Sequence, residues 1–194
     1  IIIWGILNEC ASNTPEGKEM YRKQIEQIKS LDKTRPTSFA SCHYFTGLSF
    51  DLVDIVSMNV YSGWYTEEPV EIRMKKLIDW SREVGGADKP FFITEFGAAA
   101  MYGYRNRNLC RWSEDYQAKL LVETLETYMT TDDISGVFVW QFADCRVTDE
   151  KENEADYWWA ARPRCYNNKG VVDEHRRPKM AYDVVKEKFE KYWI

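Results

Sequence analysis

Two glutamates stand where acid–base or nucleophilic chemistry could be done. Glu9 follows an apolar run from Ile1 to Leu7, and Glu95 lies near the end of another, Pro90 to Gly97. Both runs read as buried strands. An acidic side chain at such a strand end is costly unless it is used, because the surrounding pocket is partly desolvated. Two carboxyls facing one pocket suit retaining glycoside hydrolysis. One protonates the leaving oxygen, and the other attacks the anomeric carbon to form a glycosyl ester. The plain alternative is a pair of surface glutamates or caps of the following helices. Asn8 and Thr94, polar residues directly before each glutamate, weigh against it.

Aromatic residues point the same way. The chain has 8 Trp, 12 Tyr and 9 Phe, 15% of its residues, more than a core of this size usually needs. Tyr61, Trp64 and Tyr65 follow the third strand-like run, Phe96 and Tyr102 follow Glu95, and Trp140 ends the fifth. Flat rings cover the apolar C–H faces of sugars while their polar tips bond hydroxyls. Any one of them could simply fill a core; their clustering after several strands favours a carbohydrate site.

The elements that must position these residues alternate between two periods. Ile1–Leu7, Arg35–Ser41, Val53–Tyr61, Pro90–Gly97 and Ser135–Ala143 read as strands. A helix begins at Thr14-Pro15 and carries Tyr21, Ile25 and Ile28 to about Leu31. Val70, Met74, Leu77, Ile78 and Val84 mark a second helix stopped by Gly85-Gly86. A third follows Ser113, with Leu121, Val122, Leu125 and Met129 on its buried side. The last starts near Pro178 and buries Ala181, Val185 and Phe189. This order suits either an open doubly wound sheet or part of a (β/α)8 barrel. The first strand ends in Asn8-Glu9 with no G-x-G-x-x-G, so the barrel is expected.

The 194 residues allow one well-buried core, and 44% hydrophobic with 29% charged residues excludes a disordered chain. A net charge of −5 disfavours nucleic-acid binding, and no apolar run approaches the roughly 20 residues of a membrane span. Five irregularly spaced cysteines and two distant histidines suggest neither a metal site nor a disulfide framework. Free thiols in the cytoplasm are expected, with no cofactor.

"IIIWGILNE", "MNVYSGWY", "FFITEFGA", "WSEDYQ", "VWQFAD" and "NNKGVVDEHRRPK" together resemble the catalytic barrel of glycoside hydrolase family 2, in its β-glucuronidase branch. The resemblance implies a partial (β/α)8 TIM barrel, strands 4 to 8 with their helices. It makes Glu9 the acid/base and Glu95 the nucleophile of a hydrolase acting on β-glucuronides. Glu9 would then be protonated while Glu95 is ionised. Asn8 would contact the sugar 2-hydroxyl, Asn59 and Tyr61 would position nucleophile and substrate, and Tyr65 and Trp140 would line the sugar site. The same family also contains galacturonide and neutral-sugar hydrolases.

Asn167 and Lys169 match the family's Asn-x-Lys, which grips the sugar carboxylate, and either Arg162 or Arg164 would stand beside it. Charge agrees independently. Arg162, Arg164, Lys169, Arg176, Arg177 and Lys179 outnumber Asp173 and Glu174 in this stretch. Five strands fall short of the barrel's eight. The chain is therefore expected to be the C-terminal part of a longer, homo-oligomeric enzyme, without barrel strands 1 to 3 or the sandwich domains before them. Alone, it is expected to expose an apolar inner wall and to be inactive or unstable.

Overall fold

Thr14 starts the first helix as its sequence suggests. Its hydroxyl accepts from the Gly17 amide at 3.0 Å, and Pro15 occupies the first helical turn, where a missing N–H costs nothing. In the computed structural model, which describes residues 1–147 and 162–192, this helix is α1, Pro15–Leu31. It links strand β1 (Trp4–Asn8) to β2 (Thr37–Ser41). Strand β3 (Val56–Asn59) follows, then helix α2 (Val70–Ser81) and strand β4 (Phe91–Phe96). Helix α3 (Glu114–Met129), strand β5 (Ile134–Val139), the short strands β6 (Cys145–Arg146) and β7 (Tyr166–Asn167), and helix α4 (Met180–Tyr192) complete the described strands and α-helices.

Strands β1 to β5 form one sheet in sequence order. The pairings from β1 through β4 are parallel. A doubly wound sheet would reverse its strand order at a switch point; the unbroken order is that of a barrel wall, part of a (β/α)8 fold.

The chain divides into two compact units. The first holds Ile1–Ser62, Glu68–Phe96 and Thr131–Phe138; the second holds Gly63–Glu67, Gly97–Thr130 and Val139–Ile194. In the first, an aromatic series anchors α1 and α2. Tyr21 meets Phe39 edge-on at 4.7 Å, Phe39 stacks on Phe50 at 5.6 Å, and Phe50 meets Trp80 at 5.7 Å. Part of the aromatic surplus is therefore core. In the second, α3 packs against α4. No helix among the described residues is long and apolar enough to cross a membrane.

Several sequence boundaries shift. β1 begins at Trp4 rather than Ile1; Ile1 and Ile2 are 75% and 86% exposed. Among the described strands β1 pairs only with β2, so the residues before it have no sheet face to enter. As expected, the first unit has an apolar wall open to solvent. A cavity of about 680 Å³ is lined by Ile3, Ile6, Ala40, Phe92 and Phe138 among others. α2 ends at Ser81, and a wider turn, Arg82–Gly86, follows with Gly85 at φ 98°. Val122 is 39% exposed: the buried face of α3 runs through Gln117, Leu121, Leu125 and Tyr128, and the next residue lies about 100° further round. Ala181 is buried, whereas Val185 and Phe189 are half-buried. The connection after β5 is acidic in sequence over 144–156, and from 148 on it lies outside the described residues.

Candidate active site

Both glutamates sit at carboxyl ends of strands in the first unit. Glu9 lies one residue past β1, its amide donating to the Ala40 carbonyl at 2.9 Å, and its backbone is left-handed, at φ 52°. That conformation is uncommon for a residue with a Cβ and is found disproportionately at functional sites. Glu95 is the penultimate residue of β4, opposite Asn59 in the β3–β4 pairing. A register irregularity precedes each position, between Gly5 and Asn8 in β1 and between Met58 and Asn59 in β3. Such irregularities re-aim side chains at a strand end.

Asn59 is the hub. It is fully buried, and its amide nitrogen donates to Asn8 Oδ1 at 3.1 Å and to Glu9 Oε1 at 2.9 Å. Its amide oxygen accepts from the Thr94 hydroxyl at 2.8 Å. The reverse orientation would set the amide oxygen against Asn8 and Glu9 oxygens, so the network fixes the flip. Tyr61 donates its hydroxyl to Glu95 Oε2 at 2.7 Å. Each glutamate thus has a neutral donor from β3 or the residues just after it. Burial, and then the charges of Glu9 and Glu95, push the Cys42 thiol up, so both carboxylates act on one neighbourhood.

The second unit holds the remaining sequence-named residues. Lys169 is buried. Its ammonium donates to the Tyr65 hydroxyl at 2.8 Å and stands 4.9 Å from the Tyr65 ring centre and 5.6 Å from that of Trp64. Asn167, also buried, accepts the Lys169 amide through Oδ1 at 3.3 Å. The pair is therefore assembled around one short loop. Trp140 is 38% exposed and is joined to Gln141 by a cis peptide. Gly97 is needed where it stands: its φ is 148°, and a Cβ there would lie 2.7 Å from the Trp140 carbonyl oxygen.

The basic excess over 162–179 is less available than its sequence suggests. Lys179 pairs with Asp144 at 2.8 Å, Arg177 with Asp173 at 2.5 Å, and Arg164 with Glu174. These cations are neutralised locally, Lys179 by an acid from outside the 162–179 stretch. Arg164 is exposed, packs over the Tyr166 ring at 5.1 Å and is held by Glu174, while Arg162 is half-buried.

Three contributors, and the pairing of Lys179, were not singled out in the sequence. Tyr44 donates to the Asn59 carbonyl and lies under the Arg73 guanidinium at 4.5 Å. An aromatic just after β2 was a signal of the kind used for Tyr61. Gln117, fully buried in α3, donates to the Ala98 and Gly170 carbonyls at 2.8 and 3.1 Å. A glutamine on the buried side of an amphipathic helix was its signal. Asp144 and Lys179 pair across 35 residues, and no local pattern could have joined them.

Parallel strands in sequence order, two of them with glutamates at their carboxyl ends, define the class: part of a (β/α)8 barrel. The family model described as Glycosyl hydrolases family 2, TIM barrel domain, matches residues 1–194, and the chain belongs to that family. The Sus scrofa protein Beta-glucuronidase is 26% identical over 198 residues, covering 100% of this chain and 28% of that protein. The crystal structure of a GH2 beta-galacturonidase from Eisenbergiella tayi bound to galacturonate superposes with a TM-score of 0.92 at 48% identity, covering 98% of this chain and 33% of that one. A Ruminococcus gnavus Beta-glucuronidase gives a TM-score of 0.83 at 26% identity, covering 98% of this chain and 31% of that one. The chain therefore spans about a third of the length of these relatives.

Proposed function

We propose that this chain supplies the two catalytic carboxyls of a retaining β-uronide hydrolase. Glu95 attacks the anomeric carbon as Glu9 protonates the departing oxygen. Glu9, now ionised, then takes a proton from water, which cleaves the Glu95 glycosyl ester and frees the sugar. The observation that carries this reading is the buried Asn59 carboxamide, which orients Asn8 and Glu9 together, with Tyr61 on Glu95 beside it. Side chains held this closely are suited to positioning reacting atoms.

Asn167 and Lys169 recognise the sugar carboxylate, an ammonium and amide pair being matched to that group. Tyr65, bonded to Lys169, and Trp140 line the sugar. Within the acidic sugars, galacturonides are the preferred substrates. Identity of 48% to the beta-galacturonidase, against 26% to the two glucuronidases above, supports this choice. Hydrolysis of β-glucuronides, which the Asn-x-Lys motif implied, is the second reading.

The complete gene product should be assayed on 4-nitrophenyl β-D-galacturonide, β-D-glucuronide and β-D-galactoside. The galacturonide should exceed the glucuronide in kcat/KM by about tenfold, the worth of one well-placed hydrogen bond. The neutral galactoside should be slower than either. A larger value for the glucuronide selects the second reading, and a galactoside as good as both uronides removes carboxylate recognition.

A further inference from the structure

Lys179 and Asp144 take no part in the chemistry above, yet both side chains are fully buried. The Lys179 ammonium has an acceptor for each proton: the Ala100 carbonyl at 2.6 Å, Asp144 Oδ1 at 2.8 Å and the Asn168 carbonyl at 3.1 Å. Asp144 Oδ1 also accepts the Gly170 amide at 2.8 Å. The ion pair thus holds the residue just before Lys169 and the residue just after it. Gly170 has no room for a side chain, since a Cβ would fall 2.5 Å from Asp144 Oδ1 and 2.3 Å from the Asp144 nitrogen. The carboxylate is therefore pressed directly on the loop backbone.

Such an arrangement is an expensive way to gain stability. Burial pushes the Asp144 carboxyl up to about 6 and pulls the Lys179 ammonium down. Apolar replacements of a buried ion pair are often as stable as the pair itself. What apolar side chains cannot do is bond a carbonyl and an amide on either side of one residue.

We propose that Lys179 and Asp144 are positioning residues for Lys169: their buried ion pair clamps the backbone at Asn168 and Gly170 and so sets where the Lys169 ammonium stands. The proposal rests on Lys169 being the contact for the sugar carboxylate.

The test uses Lys179→Met, Lys169→Ala and the double variant in the complete gene product. In Lys179→Met, KM for the aryl galacturonide should rise by about tenfold or more, with kcat within about threefold. In the Lys169→Ala background the same change should add no more than about twofold, because both substitutions remove one interaction. Backbone amides from Asn168 to Gly170 should exchange with solvent at least about tenfold faster in Lys179→Met, with amides of β3 and β4 unchanged. Additive effects, a parallel fall in kcat, or unchanged exchange overturns the clamp. Should Lys179→Met fail to fold, Asp144→Asn/Lys179→Met, which leaves no lone buried charge, is measured identically. If Lys169→Ala leaves the uronide KM unchanged, the carboxylate reading itself fails. Amide exchange then still decides whether the clamp exists as a purely structural device.

Discussion

The strand ends carrying Glu9 and Glu95 and the loop carrying Lys169 are built by different means. At the strand ends, the backbone ladder does most of the placing. Glu95 and Asn59 face each other through the β3–β4 pairing, and the Glu9 amide is tied to Ala40. A few side chains, chiefly Asn59 and Tyr61, complete the aim. The Lys169 loop follows a strand of only two residues, so no long ladder extends to it. Isolated backbone amides, Ala100 on the Asn168 carbonyl at 2.9 Å and Gln141 on the Lys169 carbonyl at 3.0 Å, are joined there by buried side chains: Gln117 on the Gly170 carbonyl, Lys179 on the Asn168 carbonyl and Asp144 on the Gly170 amide. Buried backbone groups must find partners somewhere. A sheet supplies them by repetition, whereas a loop needs particular polar residues from distant parts of the chain. The proposed division, chemistry on strands and recognition on a braced loop, would let the loop vary without disturbing the reacting atoms.

The largest effect should come from the strand ends. Glu95→Gln should lower kcat by about 10³-fold or more on every substrate, measured by release of nitrophenol. More than about a hundredth of the normal rate would sink its assignment as nucleophile. Asn59→Ala, which frees Asn8 and Glu9 from their shared donor, should cost about 10²-fold in kcat on acidic and neutral sugars alike. A loss confined to uronides would instead make Asn59 part of carboxylate recognition. Lys169→Ala should cut kcat/KM by about 10- to 100-fold for uronides, the range of a charge-assisted hydrogen bond. It should spare the galactoside; equal losses on both would erase the distinction between the two regions.

The smallest effect concerns how α4 is held in the second unit. Glu126 in α3 accepts from Lys188, Tyr192 and Lys191 of α4, and these bonds, Lys188 first, lower its carboxyl from 4.5 to about 2. A carboxyl depressed on folding stabilises the fold above its unfolded value and loses that contribution as pH falls toward the folded one. Protection of α4 amides should therefore weaken between pH 4.5 and about 2. Glu126→Gln should flatten this response and lower Tm by only about 2 °C at neutral pH, since exposed ion pairs contribute little. Hydrolysis of all three substrates should stay within about twofold. A greater loss would mean that α4 docking bears on the loop.

The elements were legible wherever local chemistry marks them. Thr14 and Ser113 cap helices through their own hydroxyls, with Ser113 accepting the Tyr116 amide at 3.1 Å. Glu9 and Glu95 could be singled out because strand ends are visible as the ends of apolar runs, and Tyr61 as an aromatic following the third; Asn59 was marked only by the family resemblance. The start of β1 was not legible, because Ile1 and Ile2 look like strand residues but pair with no strand among the described residues. Nor was the state of the basic stretch, since a cation's partner is a matter of distance in space. Lys179 is bonded to Asp144, 35 positions earlier.

By itself, then, the order of residues determined which side chains reach strand ends, how the strands follow one another, and that an Asn-x-Lys pair lies in a basic segment. The first two follow from periodicity and capping, which act over a few residues, and the last from a family motif and a local charge count. Tertiary structure alone decided that Asn59 joins Asn8 to Glu9, that Lys169 is set beside Tyr65, and that three of the basic residues are neutralised where they stand. Hydrogen bonds and ion pairs between distant residues depend on angstrom-scale separations, and only the folded chain specifies those.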